Sequence, residues 1–335
     1  MLCRVAEEVF WMSRYVERAI AVCRLVEVTG HLELDAGDLE DEARWQLWTR
    51  LLGPEAPERL ALTGTPDPRD VRHWLAFDND NPRSLVSCIR RARQAARGVR
   101  ESISSEMWEQ LNALHLSLVD PSLSGEGEEN PHAFYKRVRE GAQFLQGLAD
   151  STLLHDEVWH FSCLGTFLER ADNVARVLGL QSHLLAEAED EDPVRWLAVL
   201  RSCGSGEAYA RYYSLRVEPP LVVEFLLLNP IFPQSVRFSL RTAADALRQI
   251  GGGQAPRESA SPAMRALGLL SAELDHATVE EVLGAGLPRY LAGVQARIRG
   301  VIDQVTRAYL RQEPQPPRQV ALARAAMIMA AQQQQ

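Results

Sequence analysis

The chain has 335 residues, of which 46% are hydrophobic, which is enough for a buried core and for either two or three domains or one large helical domain. Its net charge of −9 argues against a nucleic-acid-binding surface. There is no run of 18 uncharged apolar residues, and Glu7 and Glu8 interrupt the segment where a secretory signal would be apolar, so we expect a cytoplasmic protein that contacts no membrane.

The helices expected along the chain follow from its hydrophobic periodicity. Apolar residues recur at helical spacing in almost every informative segment, whereas the alternation typical of strands is missing. Proline and glycine fall between these segments. The predicted fold class is therefore all-α, a large multi-helix bundle. The predicted helices cover residues 2–29, 38–53, 67–77, 82–103, 105–119, 131–151, 155–186, 193–203, 206–215, 219–228, 233–250, 262–275 and 287–311.

Two acidic loops, 122–131 and 186–193, interrupt the series of helices. We expect one all-α domain over residues 1–311, with 1–121 and 131–311 as candidate pseudo-symmetric halves. The Pro- and Gln-rich segment 312–335 is expected to be a flexible tail.

One charged pattern occurs twice within otherwise apolar segments. Residues 15–24 read YVERAIAVCR, and residues 167–176 read FLERADNVAR, so each Glu-Arg-Ala and the arginine after it recur with an offset of 152 residues. This offset is too long for a solenoid repeat. It indicates either the duplication of a helical half or two helices that meet the same need.

The first copy lies in a helix that is apolar on nearly all sides, which is typical of a buried helix. A buried Glu17 must be paired, because an isolated buried carboxylate costs several kcal/mol. Arg14 is one turn earlier and is in position to pair with it. Arg24 is expected to reach a different helix.

The second copy has a narrow stripe of small and polar residues. Ser162 and Gly165 allow close approach of another helix or a ligand. Asp172 and Arg176 have the i, i+4 spacing of an ion pair.

A third basic element lies between the two copies, and its arginines recur at three- and four-residue steps. The carboxylates of the two Glu-Arg-Ala helices are its expected partners, because the guanidinium fork matches a carboxylate. We expect these two helices to be central, antiparallel or crossing, with the ladder against them. The ladder consists of Arg90, Arg93, Arg97 and Arg100.

Other motifs give weaker indications. Ser235, in NPIFPQSVRF, is placed to cap the following helix, and Arg237 could point toward the charged cluster. HDEVWH at 155–160 has histidines five apart, whereas a zinc-binding HExxH has them four apart. The five cysteines form no CxxC pair, and no nucleotide-binding glycine motif occurs. We therefore expect neither a metal site nor a cofactor.

Four stretches make the chain resemble a bacterial family, the alpha-E domain proteins. They are MLCRVAEEVFWMSRYVERA at the start, the Arg-rich segment ending in ISSEMWEQLN, FLERADNVARVL, and FLLLNPIFPQSVRFSL at 225–240. The family is all-helical, and its genes commonly lie beside, or are fused to, a circularly permuted ATP-grasp ligase, often with a transglutaminase-like peptidase. The resemblance implies a role in peptide or amide-bond metabolism, with those two proteins as partners and a peptide-like ligand.

The chain departs from the family pattern at three positions. Ile20 stands where an acidic residue is common, Gln94 where a glutamate is common, and Gln234 where an arginine is common. If those charges serve catalysis in the family, this chain has altered activity, and if they serve packing, the losses are tolerable.

The leading hypothesis is that the buried charged cluster binds a charged peptide-like ligand or an acyl donor. Glu17, Glu169 and Asp172 are the catalytic candidates, which would hold amines or move a proton. Two alternatives stay open, a non-catalytic scaffold whose polar core only specifies packing and an independent hydrolase or transferase. The ligand-binding candidates are Arg14, Arg18, Arg24, Arg93, Arg97, Arg170, Arg176, Ser235 and Arg237.

Overall fold

A computed structural model describes most of the chain, and the described residues form helices joined by turns, with no strand. The all-α prediction is confirmed. The predicted helix 38–53, the tail 312–335 and most of the two acidic loops lie outside the described residues. The structure describes residues 3–35, 68–119, 130–187, 193–214, 216–251 and 261–310.

The first five helices end before residue 157. They are α1 (Cys3–Asp35), α2 (Pro68–Ala76), α3 (Leu85–Gly98), α4 (Ser105–Val119) and α5 (Pro131–Thr152).

The helices of the second part begin with another long one. They are α6 (Glu157–Glu187), α7 (Pro193–Ser202), α8 (Gly206–Tyr213), α9 (Pro219–Val223, continued by the π-helical turn Glu224–Leu228), α10 (Val236–Ile250), α11 (Pro262–His276), α12 (Val279–Gly284) and α13 (Leu287–Val305, continued by the π-helical turn Thr306–Leu310). The short α12 was not predicted. None of the described helices is both long and apolar enough to cross a membrane.

The helix starts follow the local capping chemistry. Asn130 Oδ1 accepts a hydrogen bond from Ala133 N at 3.3 Å, and Pro131 occupies the first turn of α5. Ser235 Oγ accepts from Phe238 N at 3.0 Å and begins α10, which confirms the predicted cap.

The helices pack as two four-helix units with the same internal pairings. In the first unit α1 packs on α3 and α5, and α4 packs on the same two helices. In the second unit α6 packs on α10 and α13, and α11 packs on those two. Each long helix therefore has the same place in its own unit. The first unit consists of α1, α3, α4 and α5, and the second of α6, α10, α11 and α13. The helix α5 therefore belongs with the first unit, not with the second as the candidate halves 1–121 and 131–311 had it.

The two units meet through their long helices, α1 and α6. Gly165 of α6 lies so close to α1 that a Cβ atom there would be 2.4 Å from the Phe10 carbonyl oxygen. Further along both helices, Arg18 bonds Glu169. From the first contact to the second, the residue numbers increase along both helices. The two helices therefore run in the same direction, and the antiparallel alternative is wrong. The small residue at 165 serves helix contact, as predicted.

Candidate functional site

The two Glu-Arg-Ala motifs bond to each other across the contact between α1 and α6. Glu17 is 3% exposed and accepts hydrogen bonds from Arg170 Nε at 2.8 Å and Arg170 Nη2 at 3.0 Å. Gln146 Nε2 of α5 also donates to Glu17, at 2.6 Å. The glutamate of the first motif is therefore neutralised by the arginine of the second.

The reverse pairing holds for the second motif. Glu169 is fully buried, and Arg18 donates to it from Nε at 2.7 Å and from Nη2 at 2.9 Å. Arg14 donates from Nε at 3.0 Å and from Nη2 at 2.8 Å. The expectation that Arg14 pairs with Glu17 is therefore wrong. We call this set the ER clasp, which consists of Arg14, Glu17, Arg18, Glu169 and Arg170.

The ER clasp holds both glutamates in their ionised form. Burial alone would raise the pKa of Glu169, but the charges of Arg18 and Arg14 outweigh it and hold that pKa far below its ordinary value of 4.5. For Glu17, burial is likewise outweighed by Arg170, and the pKa is lowered. A carboxylate that stays charged and fully bonded is a poor general acid or base. The geometry therefore favours a structural role for these two candidates.

A partly open cavity of about 80 Å³ lies beside the ER clasp, between the two units. This volume holds roughly three waters, or a carboxylate with the first atoms of its chain. Trp74, Leu75 and Val174 are among its apolar walls. We call it the arginine pocket, because five arginines and one glutamate are its charged lining. These residues are Arg18, Arg24, Arg83, Arg170, Arg176 and Glu17.

The lining of the arginine pocket comes from matching positions of the two units. Arg24 corresponds to Arg176 with the offset of 152 residues. Arg176 Nη2 donates to Asp172 Oδ2 at 2.6 Å, which confirms the predicted ion pair. The residue that corresponds to Asp172 is Ile20, so Arg24 has no carboxylate four residues before it.

Arg24 crosses instead to the second unit, as expected from its distance to Glu17. Its side chain lies against Gly204, where the backbone has φ +63° and a Cβ atom would be 2.7 Å from the guanidinium carbon. Arg24 Nη1 donates over long distances to Gln234 Oε1 at 3.3 Å and to the Cys203 carbonyl at 3.5 Å. Burial and neighbouring arginines oppose the attraction of Glu17, and the pKa of Arg24 is lowered.

Arg83 is a residue of the pocket that the sequence analysis missed. It belongs to the turn NPRS at 81–84, whose Asn81 Oδ1 accepts from Arg83 N at 2.9 Å and whose Asn81 Nδ2 donates to the Trp74 carbonyl at 2.9 Å. Ser84 caps α3 as Ser235 caps α10. The turn around Gln234 corresponds to it with an offset of 151 residues, and an alignment of the two turns would have identified Arg83.

Two donors in this lining are buried and unbonded. Within the described part of the chain, neither Arg83 Nη2 nor Asn173 Nδ2 has a hydrogen-bond partner. Asp172 Oδ1, next to the pocket, has none either. Buried polar atoms are normally satisfied, so such a group indicates a missing ligand or water.

The structure does not bring four predicted binding residues to this cluster. Arg93 Nε donates to Asn112 Oδ1 at 2.8 Å, and Arg97 is exposed, so the expected contact of the arginine ladder with the glutamates is wrong. Arg237 pairs with Asp275 at 2.8 Å. Ser235 is a buried cap.

A second cavity, of about 280 Å³, lies on the other side of Arg170. Its walls are mostly apolar, from residues such as Met12, Leu145 and Phe167, with the hydroxyls of Ser13 and Ser162 between them. Those two hydroxyls are 2.8 Å apart and bond each other. Across the ranges that the structure describes, no three His, Cys, Asp or Glu side chains come together as metal ligands would.

A comparison with known protein families agrees with the helical fold and with the Glu-Arg motif. The family model for the Alpha-E domain, described as "a predicted alpha-helical domain with a conserved ER motif", matches residues 1–310. Similar relatives are uncharacterized proteins of Mycobacterium bovis and of two strains of Mycobacterium tuberculosis, each 25% identical over 331 residues. The alignment covers 92% of this chain and 37% of each relative, so the chain spans little more than a third of their length. No solved structure matches this chain significantly.

Proposed function

The chain belongs to the Alpha-E family, and on that premise we propose that it binds the anionic end of a peptide-like ligand in the arginine pocket. It would act there together with a circularly permuted ATP-grasp ligase in the synthesis or modification of amide bonds. A transglutaminase-like protein is a second proposed partner. A cytoplasmic location belongs to the same proposal, because the ligase needs ATP.

The observation that carries the binding proposal is the local excess of positive charge. Five guanidinium groups and one carboxylate form the charged lining of the pocket, in a protein whose net charge is −9. Low-dielectric walls around charges of one sign strengthen the field inside a cleft and attract a ligand of the opposite sign. An anion is therefore the ligand that this pocket is built to attract.

A specific observation favours the alternative role, that of a scaffold, for the ER clasp itself. Every carboxylate oxygen of Glu17 and Glu169 accepts at least one hydrogen bond from an arginine of the other long helix. Such pairs specify which helices meet. We therefore assign the ER clasp to structure and the open side of the pocket to ligand binding.

The ligase partnership is supported by the family resemblance and by the length of the relatives. The matched relatives extend far beyond this domain, which is compatible with its action beside other domains. In the arginine pocket the described lining offers guanidinium groups to hold a substrate, and its carboxylate, Glu17, is kept ionised by Arg170. The proposed ligase would supply the acyl phosphate chemistry, and this chain would position the substrate.

The binding proposal is tested by isothermal titration of the full chain with N-acetylglycylglycine and with its C-terminal amide. The free acid should bind, and the amide should bind at least tenfold more weakly, because a charged hydrogen bond contributes about 1.5–3 kcal/mol. Arg176→Gln should weaken binding of the acid by a similar factor. Arg299→Gln, which removes the same charge from the exposed face of α13, is the control. Equal binding of acid and amide would contradict the proposal.

The partnership is tested by co-expression with a circularly permuted ATP-grasp protein from the same gene neighbourhood. The two proteins should co-purify, and the amide formed per ligase molecule should rise when this chain is added. A ligase that neither binds the chain nor changes its rate would contradict this part of the proposal and leave the binding proposal intact.

A further inference from the structure

The two sides of the arginine pocket are related by the internal repeat but differ in charge. On one side Arg24 faces the neutral Gln234 of the other unit. On the matching side Arg176 lies near Arg83, and the two positive charges repel each other. The repeat therefore places a cation in one turn and an amide in the other. The pocket is asymmetric at the position where a ligand would be oriented.

The two sides also differ in whether their donors are satisfied. Arg24 Nη1 has two acceptors, the Gln234 side chain and the Cys203 carbonyl. Arg83 Nη2 is buried and has no acceptor among the described residues, and the same holds for Asn173 Nδ2, which lines the same pocket. The buried donors without a partner among the described residues therefore lie on the Arg83 side.

We infer that Arg83 and Asn173 form a seat for one carboxylate group, so that a peptide-like ligand enters with its carboxylate toward the NPRS turn. This inference rests on the proposed function and deepens it by naming the group that is recognised and its orientation. We call this pair the carboxylate seat. One guanidinium N–H and one amide N–H would each donate to one carboxylate oxygen.

The engaged arginines explain why the seat fits a carboxylate better than a phosphate. Arg18 and Arg170 each donate two hydrogen bonds to a glutamate. Arg176 is paired with Asp172. A phosphate carries nearly two charges and more acceptor oxygens. The two buried donors that have no partner among the described residues match the two oxygens of a planar monoanion.

A purely structural role does not account for Arg83. Burial, together with the charges of Arg176 and Arg18, lowers the pKa of Arg83 to about 10. The guanidinium group is therefore less favourable in the folded chain than in water. A residue kept only for stability would not carry an unbonded buried donor. A bound carboxylate would relieve both the repulsion and the missing hydrogen bond.

The experiment compares variants on the two sides of the pocket by titration with N-acetylglycylglycine. Arg83→Gln should weaken binding at least tenfold, and Asn173→Ala about fivefold, because each removes one donor to the carboxylate. Gln234→Glu adds a negative charge on the Arg24 side and should weaken binding no more than about threefold. Arg299→Gln is again the control. Inorganic phosphate, titrated separately, should bind at least tenfold more weakly than the peptide acid.

Thermal melting of the ligand-free proteins shows whether the seat is functional. Arg83→Gln should melt at the same temperature as the wild type or about 2 °C higher, because it removes a partly buried charge that other arginines repel and whose Nη2 has no acceptor among the described residues. If Arg83→Gln melts at a lower temperature, Asn173→Ala is the variant that decides. Weaker binding by Asn173→Ala at an unchanged melting temperature supports the carboxylate seat.

Several outcomes would overturn the inference. If the wild type distinguishes acid from amide but Arg83→Gln binds the acid within threefold of it, the seat is elsewhere and the proposed function stands. If Gln234→Glu causes the larger loss, the carboxylate lies at Arg24. Tighter binding of phosphate would refute the carboxylate assignment. If the wild type does not distinguish acid from amide, the proposed function and the inference both fail.

Discussion

The two units of the molecule contain the same motif but use it differently. Glu169 of the second unit is held by two arginines of the first, whereas Glu17 is held by one arginine and a glutamine. Arg176 pairs with Asp172 four residues earlier on its own helix, whereas Ile20 stands four residues before Arg24. The residues that the two copies share form the contact between the two long helices. The positions at which the copies differ leave charged side chains available for a ligand.

The largest expected effect comes from removing the more heavily bonded glutamate. Glu169→Gln leaves Arg14 and Arg18 buried without a carboxylate, and we expect it to lower the free energy of unfolding by about 3–5 kcal/mol. Glu17→Gln leaves only Arg170 without its carboxylate partner. Its loss of unfolding free energy should therefore be smaller by about 1 kcal/mol or more. Urea denaturation measures both. Glu109→Gln, on the exposed face of α4, is the control, and equal losses for the two buried variants would contradict the comparison.

The second prediction concerns the contact between the long helices. Position 165 in α6 corresponds to Ser13 in α1, and the glycine at 165 lies against the backbone carbonyl of Phe10. Gly165→Ala places a Cβ atom 2.4 Å from the Phe10 oxygen and should destabilise the fold by about 1–3 kcal/mol. Gly147→Ala, where no atom lies within 4 Å of the new Cβ, should stabilise α5 by about 0.5–1 kcal/mol. A neutral Gly165→Ala would show that the helices can separate at no cost.

Much of the fold, but less of the site, could be predicted from the sequence. Periodicity and caps such as Asn130 and Ser235 located most described helices, because both signals are local. The direction in which α1 and α6 run could not be predicted, and Arg14 was therefore assigned to Glu17 and not to Glu169. Arg83 was missed because a single arginine in a turn has no periodicity, and its meaning depends on which residues the fold brings near it.

The third and smallest prediction is a difference in pH dependence. The pKa of Glu169 is depressed in the folded chain, so the unfolded chain takes up protons first as the pH falls. Its contribution to stability is present above its ordinary pKa of 4.5 and is lost as the pH falls below that value. The gap in unfolding free energy between wild type and Glu169→Gln should shrink between about pH 5 and pH 3. A gap that stays constant over that range would argue against the ion pairs.

The measurement that tests the central claim most directly is a pair of double-mutant cycles on the ER clasp. The claim is that each glutamate pairs with the arginine of the other motif, not with the arginine beside it in sequence. Urea denaturation of the variants at Glu17, Arg18 and Arg170 should give a coupling between Glu17 and Arg170 of about 1–3 kcal/mol. The coupling between Glu17 and Arg18 should be much weaker, and a stronger coupling within the dipeptide than across the helices would contradict the account.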